Sequence, residues 1–162
     1  MRKWVAIVSG LAMLAAANYA IYGKEQLLTE GRVVLLELAP VDPRSLMQGD
    51  YMALRFKVTE GAFGRGRAKE GLSDGRVVIM VDTHGLGSFS RFDDGTALSS
   101  DEVLMRYRIR GEFVKFATNA FFFQEGDAKL YGDARYGEFR VDEKGESILT
   151  GLRGQNLVLI QK

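Results

Sequence analysis

The sequence predicts a mainly β domain, barrel-like or β-clip-like, of about eight short strands, preceded by one N-terminal transmembrane helix. Three observations carry that expectation. Residues 4–22 form an apolar run whose only clearly polar members are Ser9 and Asn18, long enough to cross a hydrocarbon core of about 30 Å. From residue 51 onward apolar side chains recur with period two, the spacing of half-buried strands. Nineteen glycines against two prolines punctuate these runs with tight turns.

The first 23 residues read as a membrane anchor. Arg2 and Lys3 precede the apolar run, and Trp4 and Tyr22 stand at its two ends as interface residues. A cleavable signal peptide would use Ala15-Ala16-Ala17 as its small-residue site, but the apolar length and the flanking aromatics favour an uncleaved signal anchor. The basic N-terminus then faces the cytoplasm and the rest of the chain lies outside. Asn18 reads as a tolerated polar residue or as a bond to a neighbouring helix.

Residues 24–31 continue the helix past the membrane, with Leu27 and Leu28 packing on the domain and Gly31 as the stop. Residues 32–162 form the β-rich domain. Its first strand, 33–39, begins with the run Val33-Val34-Leu35-Leu36, which reads as buried on both faces. A short connection places it beside the next strand.

That connection holds the chain's two prolines, Pro40 and Pro43, ahead of a Gly49-Asp50 corner. Each proline fixes its own φ and pushes the preceding residue, Ala39 or Asp42, towards extended geometry. Gly49 tolerates a positive φ and Asp50 bonds its own backbone, so a strand is expected from Tyr51. Met52, Leu54, Phe56 and Val58 fall on one face, and Tyr51, Ala53, Arg55 and Lys57 on the other. Leu54 and Phe56 are therefore expected in the core. Tyr51 and Arg55, with Arg44 nearby, offer a ring and fixed cations to something outside it; the structural alternative is that Tyr51 packs under the Pro40–Pro43 turn.

Residues 61–75 are glycine-rich and carry Arg65, Arg67 and Lys69, which reads as an exposed basic loop; no Lys-Ser/Thr follows to make it a phosphate loop. A strand at 76–82, a turn at Asp82-Thr83-His84-Gly85 and a short strand at 89–92 follow, closed by Asp93-Asp94-Gly95. Ser99 caps a brief helical turn before 103–110, where Arg106, Arg108 and Arg110 alternate with Tyr107 and Ile109 and point to one solvent-facing or partner-facing side. The five phenylalanines of 113–123 read as a core strand. Asp127 is expected to cap a short surface helix to Ala134. Strands at 136–141 and 146–149 flank the hairpin turn Asp142-Glu143-Lys144-Gly145, and 157–160 is a last strand.

Composition narrows the functions. Lys and Arg total 22 against 21 for Asp and Glu, and the charges are interspersed, which argues against nucleic-acid binding through phosphates. There is no cysteine, so disulfides, thiolate metal sites and cysteine nucleophiles are excluded. The single histidine, His84, sits beside Asp82 in a turn, where it reads as an exposed turn residue before it reads as an acid–base pair. Asp42 and Asp50 fall short of the six to eight oxygens that calcium takes. No catalytic residue, metal or cofactor is expected.

Gly49-Asp50-Tyr51-Met52-Ala53-Leu54-Arg55-Phe56 resembles the motif that names the GDYXXLXY family of bacterial membrane-anchored proteins, with Phe56 where the motif has tyrosine. The order of features is similar too: an apolar N-terminal helix, Pro40-Val41-Asp42-Pro43 before the motif, and a late Glu-Gly followed by an Arg140-Val141-Asp142 hairpin. The resemblance implies a single-pass protein of the bacterial inner membrane with a periplasmic or extracellular domain. It implies no reaction. By analogy with other members it implies an accessory of a multi-pass membrane protein, with residues 40–56 as the partner surface. Asp50, Tyr51, Arg55 and Arg44 are then the contact candidates, and Pro40, Asp42, Pro43, Gly49, Leu54 and Phe56 the supporting frame.

Two other readings compete. The stretch 43–54 is similar to the Gly-Asp corner of signal peptidases, which suggests a membrane-tethered hydrolase, but the nucleophile's place is held by Val41 or Pro40 and Ser45 reads as a turn hydroxyl. The arginine row at 106–110 suggests capture of an envelope glycan or lipid headgroup.

Overall fold

The computed structural model describes residues 2–39, 51–64, 73–111 and 113–161. Helix α1, Arg2–Glu30, is continuous, and its Lys3–Glu30 part is long and apolar enough to cross a membrane. Over residues 4–22 its large side chains are exposed all round, Trp4, Leu14 and Tyr19 among them. A helix that is apolar on every side and unpartnered by its own chain is suited to lipid rather than water. Asn18 is satisfied within the helix, its amide donating to the Leu14 carbonyl at 2.9 Å. Leu27 is buried on the domain, whereas Leu28 stays exposed: it lies one residue further round the helix, on the face turned away.

Gly31 ends the helix, its N–H donating to the Leu27 carbonyl, and the chain enters a mainly β domain. The strands are β1 (Arg32–Glu37), β2 (Tyr51–Ala53), β3 (Gly75–Val81), β4 (Leu86–Phe92), β5 (Glu102–Arg110), β6 (Phe113–Phe116), β7 (Ala120–Phe122), β8 (Tyr136–Val141) and β9 (Ser147–Arg153). Helix α2, Lys57–Phe63, lies between β2 and β3, and a 3-10 helix spans Asp127–Tyr131.

Seven strands form one sheet in the order β6-β5-β3-β4-β1-β8-β9, antiparallel throughout except for β1 beside β4. The sheet curls until it is nearly closed and barrel-like. The β8–β9 turn reaches back across the opening to β5, where the Arg106 N–H donates to the Gly145 carbonyl at 2.8 Å. Inside lie Val34, Leu36, Val77, Ile79, Met105, Phe116, Phe139 and Leu152. The motif residues Met52, Leu54 and Phe56 plug the same core.

Two hairpins use one device. In β3–β4 the Asp82 carboxylate accepts the N–H groups of His84 and Leu86, and Gly85 takes φ 83°. In β8–β9 the Asp142 carboxylate accepts those of Lys144 and Glu146, and Gly145 takes φ 84°. An aspartate that organises the turn and a glycine that adopts the left-handed conformation three residues later fix both registers.

Several expectations are corrected. Strand β1 does not lie beside the motif strand but between β4 and β8; among the described residues the ladder contact with the motif is an isolated bridge from Leu38, just past β1, to Phe56. The pairing is set by buried faces far apart in sequence, which a short connection does not reveal. The motif strand is short, and residues 57–63 are helical although Gly61 interrupts the helical signal: packing of Val58, Thr59 and Phe63 into the core outweighs weak local propensity.

The phenylalanine-rich segment is not one core strand. It breaks into β6 and β7 around Ala117, at φ 39°, and leaves Phe113 and Phe122 exposed. Asp127 opens a 3-10 turn behind Gly126, at φ 91°, and is not its cap. At Ser99 it is the Glu102 carboxylate that reaches back to the Ser99 N–H. Residues 157–160 contribute one bridge, Arg153 to Leu159, rather than a strand.

Candidate interaction surface

The motif divides cleanly into an inner and an outer face. Leu54 is buried, and its N–H donates to the Asn119 carbonyl at 2.7 Å. Phe56 is buried edge-on against Phe139, ring centres 5.2 Å apart. It also covers Gly137 of β8, where a Cβ would come within 2.8 Å of the Phe56 ring. A phenol hydroxyl, which the motif's usual tyrosine would add, therefore has little to do with the packing that Phe56 supplies here.

Tyr51 and Arg55 fall on the outer face, Tyr51 half-buried and Arg55 exposed. The Arg55 backbone carbonyl accepts the Ala39 N–H at 2.8 Å, which ties the motif to the end of β1. Tyr51 pairs with Phe122 in the two-stranded β2–β7 sheet, their ring centres 5.8 Å apart and tilted by 41°. Phe122 is 73% exposed. On the opposite face of β7, Phe121 and Phe123 close on Tyr131 at 5.0 and 5.6 Å. One side of β7 thus fills space and the other presents a ring beside Tyr51.

Phe122 was missed in the sequence. The signal was there: three consecutive phenylalanines on a strand cannot share a face, so at least one must point away from the other two. Pro40, Asp42, Pro43, Arg44, Gly49 and Asp50 lie outside the described residues, as do Ser45, Arg65, Arg67 and Lys69.

Several titratable groups among the described residues are tied into the fold. Asp82 is committed to its turn, and the exposed His84 ring nitrogen lies 3.9 Å from it. Arg106 holds the Glu146 carboxyl below its ordinary range through a hydrogen bond. The Asp74 carboxyl is held low chiefly by the Ile109 N–H, with Arg110 adding to it. Glu138 is the one buried carboxylate among the described residues, bonded to Thr150 and Arg153. Among those residues no three His, Cys, Asp or Glu side chains gather to hold a metal ion.

The family model described as GDYXXLXY protein matches residues 13–152. The chain belongs to the GDYXXLXY family. No curated protein and no solved structure matches it. In this GDYXXLXY protein the residues that name the family do two jobs: Leu54 and the final aromatic position, Phe56, build the core, while Tyr51 faces outward against Phe122. The match starts within α1 and runs into β9, so helix and domain fall within one family unit.

Proposed function

We propose that this GDYXXLXY protein is a membrane-anchored, non-enzymatic interaction module, and that the outer face of its motif docks on an extramembrane segment of a multi-pass membrane protein. The observation that carries the reading is the exposed aromatic pair, Phe122 beside Tyr51, with the exposed Arg55 on the same outward-facing side of the motif. Aromatic rings and arginines are the side chains that most often concentrate binding energy at interfaces. The choice of a multi-pass partner rests on analogy with other members of the family.

Anchoring favours such a partner physically. A domain held at the surface by α1 meets other membrane proteins at a high effective concentration, so a small patch suffices. The basic Arg2 and Lys3 favour a cytoplasmic N-terminus and hence a periplasmic or extracellular domain in a bacterial inner membrane. Since the chain has no cysteine, a single Lys144→Cys in the exposed β8–β9 turn would report this topology. Labelling by an impermeant maleimide from the outer side supports the orientation; protection until the membrane is opened contradicts it.

The alternative, a tethered hydrolase, draws its sequence support from residues 43–54, most of which lie outside the described residues, and His84 with Asp82 is an exposed turn. The test is crosslinking and co-purification of the full-length protein from its native membrane, comparing wild type with Tyr51→Ala and Phe122→Ala at matched expression. A protein with several membrane spans, recovered with wild type and reduced about tenfold by either variant, is the expected result. Equal recovery with all three forms, or no such protein with wild type, would overturn the reading.

A further inference from the structure

Where α1 leaves its apolar run, a cavity of about 310 Å³ opens between the helix and the domain, lined by Lys24, Arg106, Arg108 and Thr118 and by Glu146 to Leu149 of the β8–β9 hairpin. Three cations face one carboxylate. Arg106 is neutralised by Glu146 at 2.6 Å, but among the described residues neither Lys24 nor Arg108 has an ion-pair partner. Lys115 deepens the excess: it stands directly opposite Arg108 in the β5–β6 register and is likewise unpaired. Like charges facing each other across a ladder are destabilising. Glu146, already bonded to Arg106, attracts Lys24 and Arg108 from a distance, and Asp74 attracts Arg108, which offsets that cost only in part.

Position identifies what would offset it. Lys24 lies two residues beyond Tyr22, where the apolar run ends, so in a membrane it sits at headgroup depth. Ile148 and Leu149 add an apolar wall beside the cations. We propose that this cavity binds the phosphate of an anionic lipid headgroup, with Lys24 and Arg108 as the charged contacts and Ile148 and Leu149 against the lipid's glycerol region. Such a contact would set the height and tilt of the domain over the bilayer, and with them the orientation of the Tyr51–Phe122 face.

The test uses the full-length protein in a non-ionic detergent, with phosphatidylglycerol or phosphatidylcholine added at equal amounts and bound lipid counted by native mass spectrometry. Wild type is expected to retain phosphatidylglycerol over phosphatidylcholine, and Lys24→Gln/Arg108→Gln to lose that preference by about tenfold. A control pair outside the cavity, Lys57→Gln/Lys129→Gln, removes the same charge and should retain it. Lys115→Glu gives a second reading, since it supplies Arg108 with a partner within the fold: thermal stability should rise while phosphatidylglycerol retention falls. Equal retention of the two lipids, or equal retention by wild type and the cavity variant, overturns the proposal. So does site-dependent broadening of the phosphorus resonance of inorganic phosphate at millimolar concentration, because the free anion would then be the ligand.

Discussion

Tyr51 and Phe122 stand directly opposite each other across β2 and β7, ring centres 5.8 Å apart, while the inward motif residues Met52, Leu54 and Phe56 are almost wholly buried. One short stretch of chain thus serves the core and the surface at once. The two faces should separate in a stability measurement. Phe56→Ala removes a fully buried ring and should cost about 3–5 kcal/mol in denaturant unfolding. Phe122→Ala removes a ring already in solvent and should cost under about 1 kcal/mol. Comparable losses in the two variants would mean that the outer pair is structural.

Gly137 tests the inner face from the other side. A Cβ there would meet Phe56 at 2.8 Å, Leu149 at 3.2 Å and Phe139 at 3.3 Å. Gly137→Ala should therefore destabilise by about 1–3 kcal/mol through overpacking. Combining it with Phe56→Leu, which vacates the contested space, should cost less than the sum of the two single changes. Additive losses would place the strain elsewhere.

Arg153 holds the buried Glu138 carboxylate, its Nε donating at 2.6 Å, and its guanidinium also donates to the Leu157 carbonyl of the C-terminal segment. Arg153→Met should lower unfolding stability by about 3 kcal/mol, because the carboxylate is left buried with only Thr150. Removing both charges, Glu138→Met/Arg153→Met, should recover most of that loss. Chemical unfolding of the three variants reads both effects.

The Arg106–Glu146 pair gives a dependence on pH with a definite sign. The hydrogen bond from Arg106 lowers the Glu146 pKa in the folded state. Its contribution is therefore complete above the unfolded glutamate value and is lost as pH falls through the lower folded one. The pair is partly exposed, 46% and 34% at the side chains, so solvent screening keeps its contribution small. Glu146→Gln should be less stable than wild type at neutral pH and equal to it in strong acid, and salt should narrow the difference. A gap that persists in acid would assign the effect to packing of the β8–β9 turn.

What was legible in the sequence was local. The long apolar N-terminal helix, the stop at Gly31 and the two Asp-x-x-Gly turns at 82–85 and 142–145 were readable because each depends on a few adjacent residues. The inward set Met52, Leu54, Phe56 and Val58 is legible too, even though the backbone turns helical at Lys57, because Val58 points to the core from either conformation. Pairing was not legible. β1 lies against residues 86–87 and 136–141, and nothing in its own apolar run distinguishes those partners from the motif strand. The outward turn of Phe122 was hidden for the same reason: the strand partner decides which of three identical rings faces out. The cavity at Lys24 required the helix end and β5 to be brought together, which the alternation of Arg106 and Arg108 alone does not reveal.

The most direct test of the proposed docking face is a photo-crosslinking amino acid placed at Phe122 in the full-length protein in its native membrane, compared with the same group at Lys144. An adduct is expected at 122 and not at 144, with the crosslinked peptide belonging to an extramembrane segment of a protein that has several apolar spans. No adduct at 122, an equal adduct at both positions, or an adduct with a soluble protein or a second copy of this chain would contradict it.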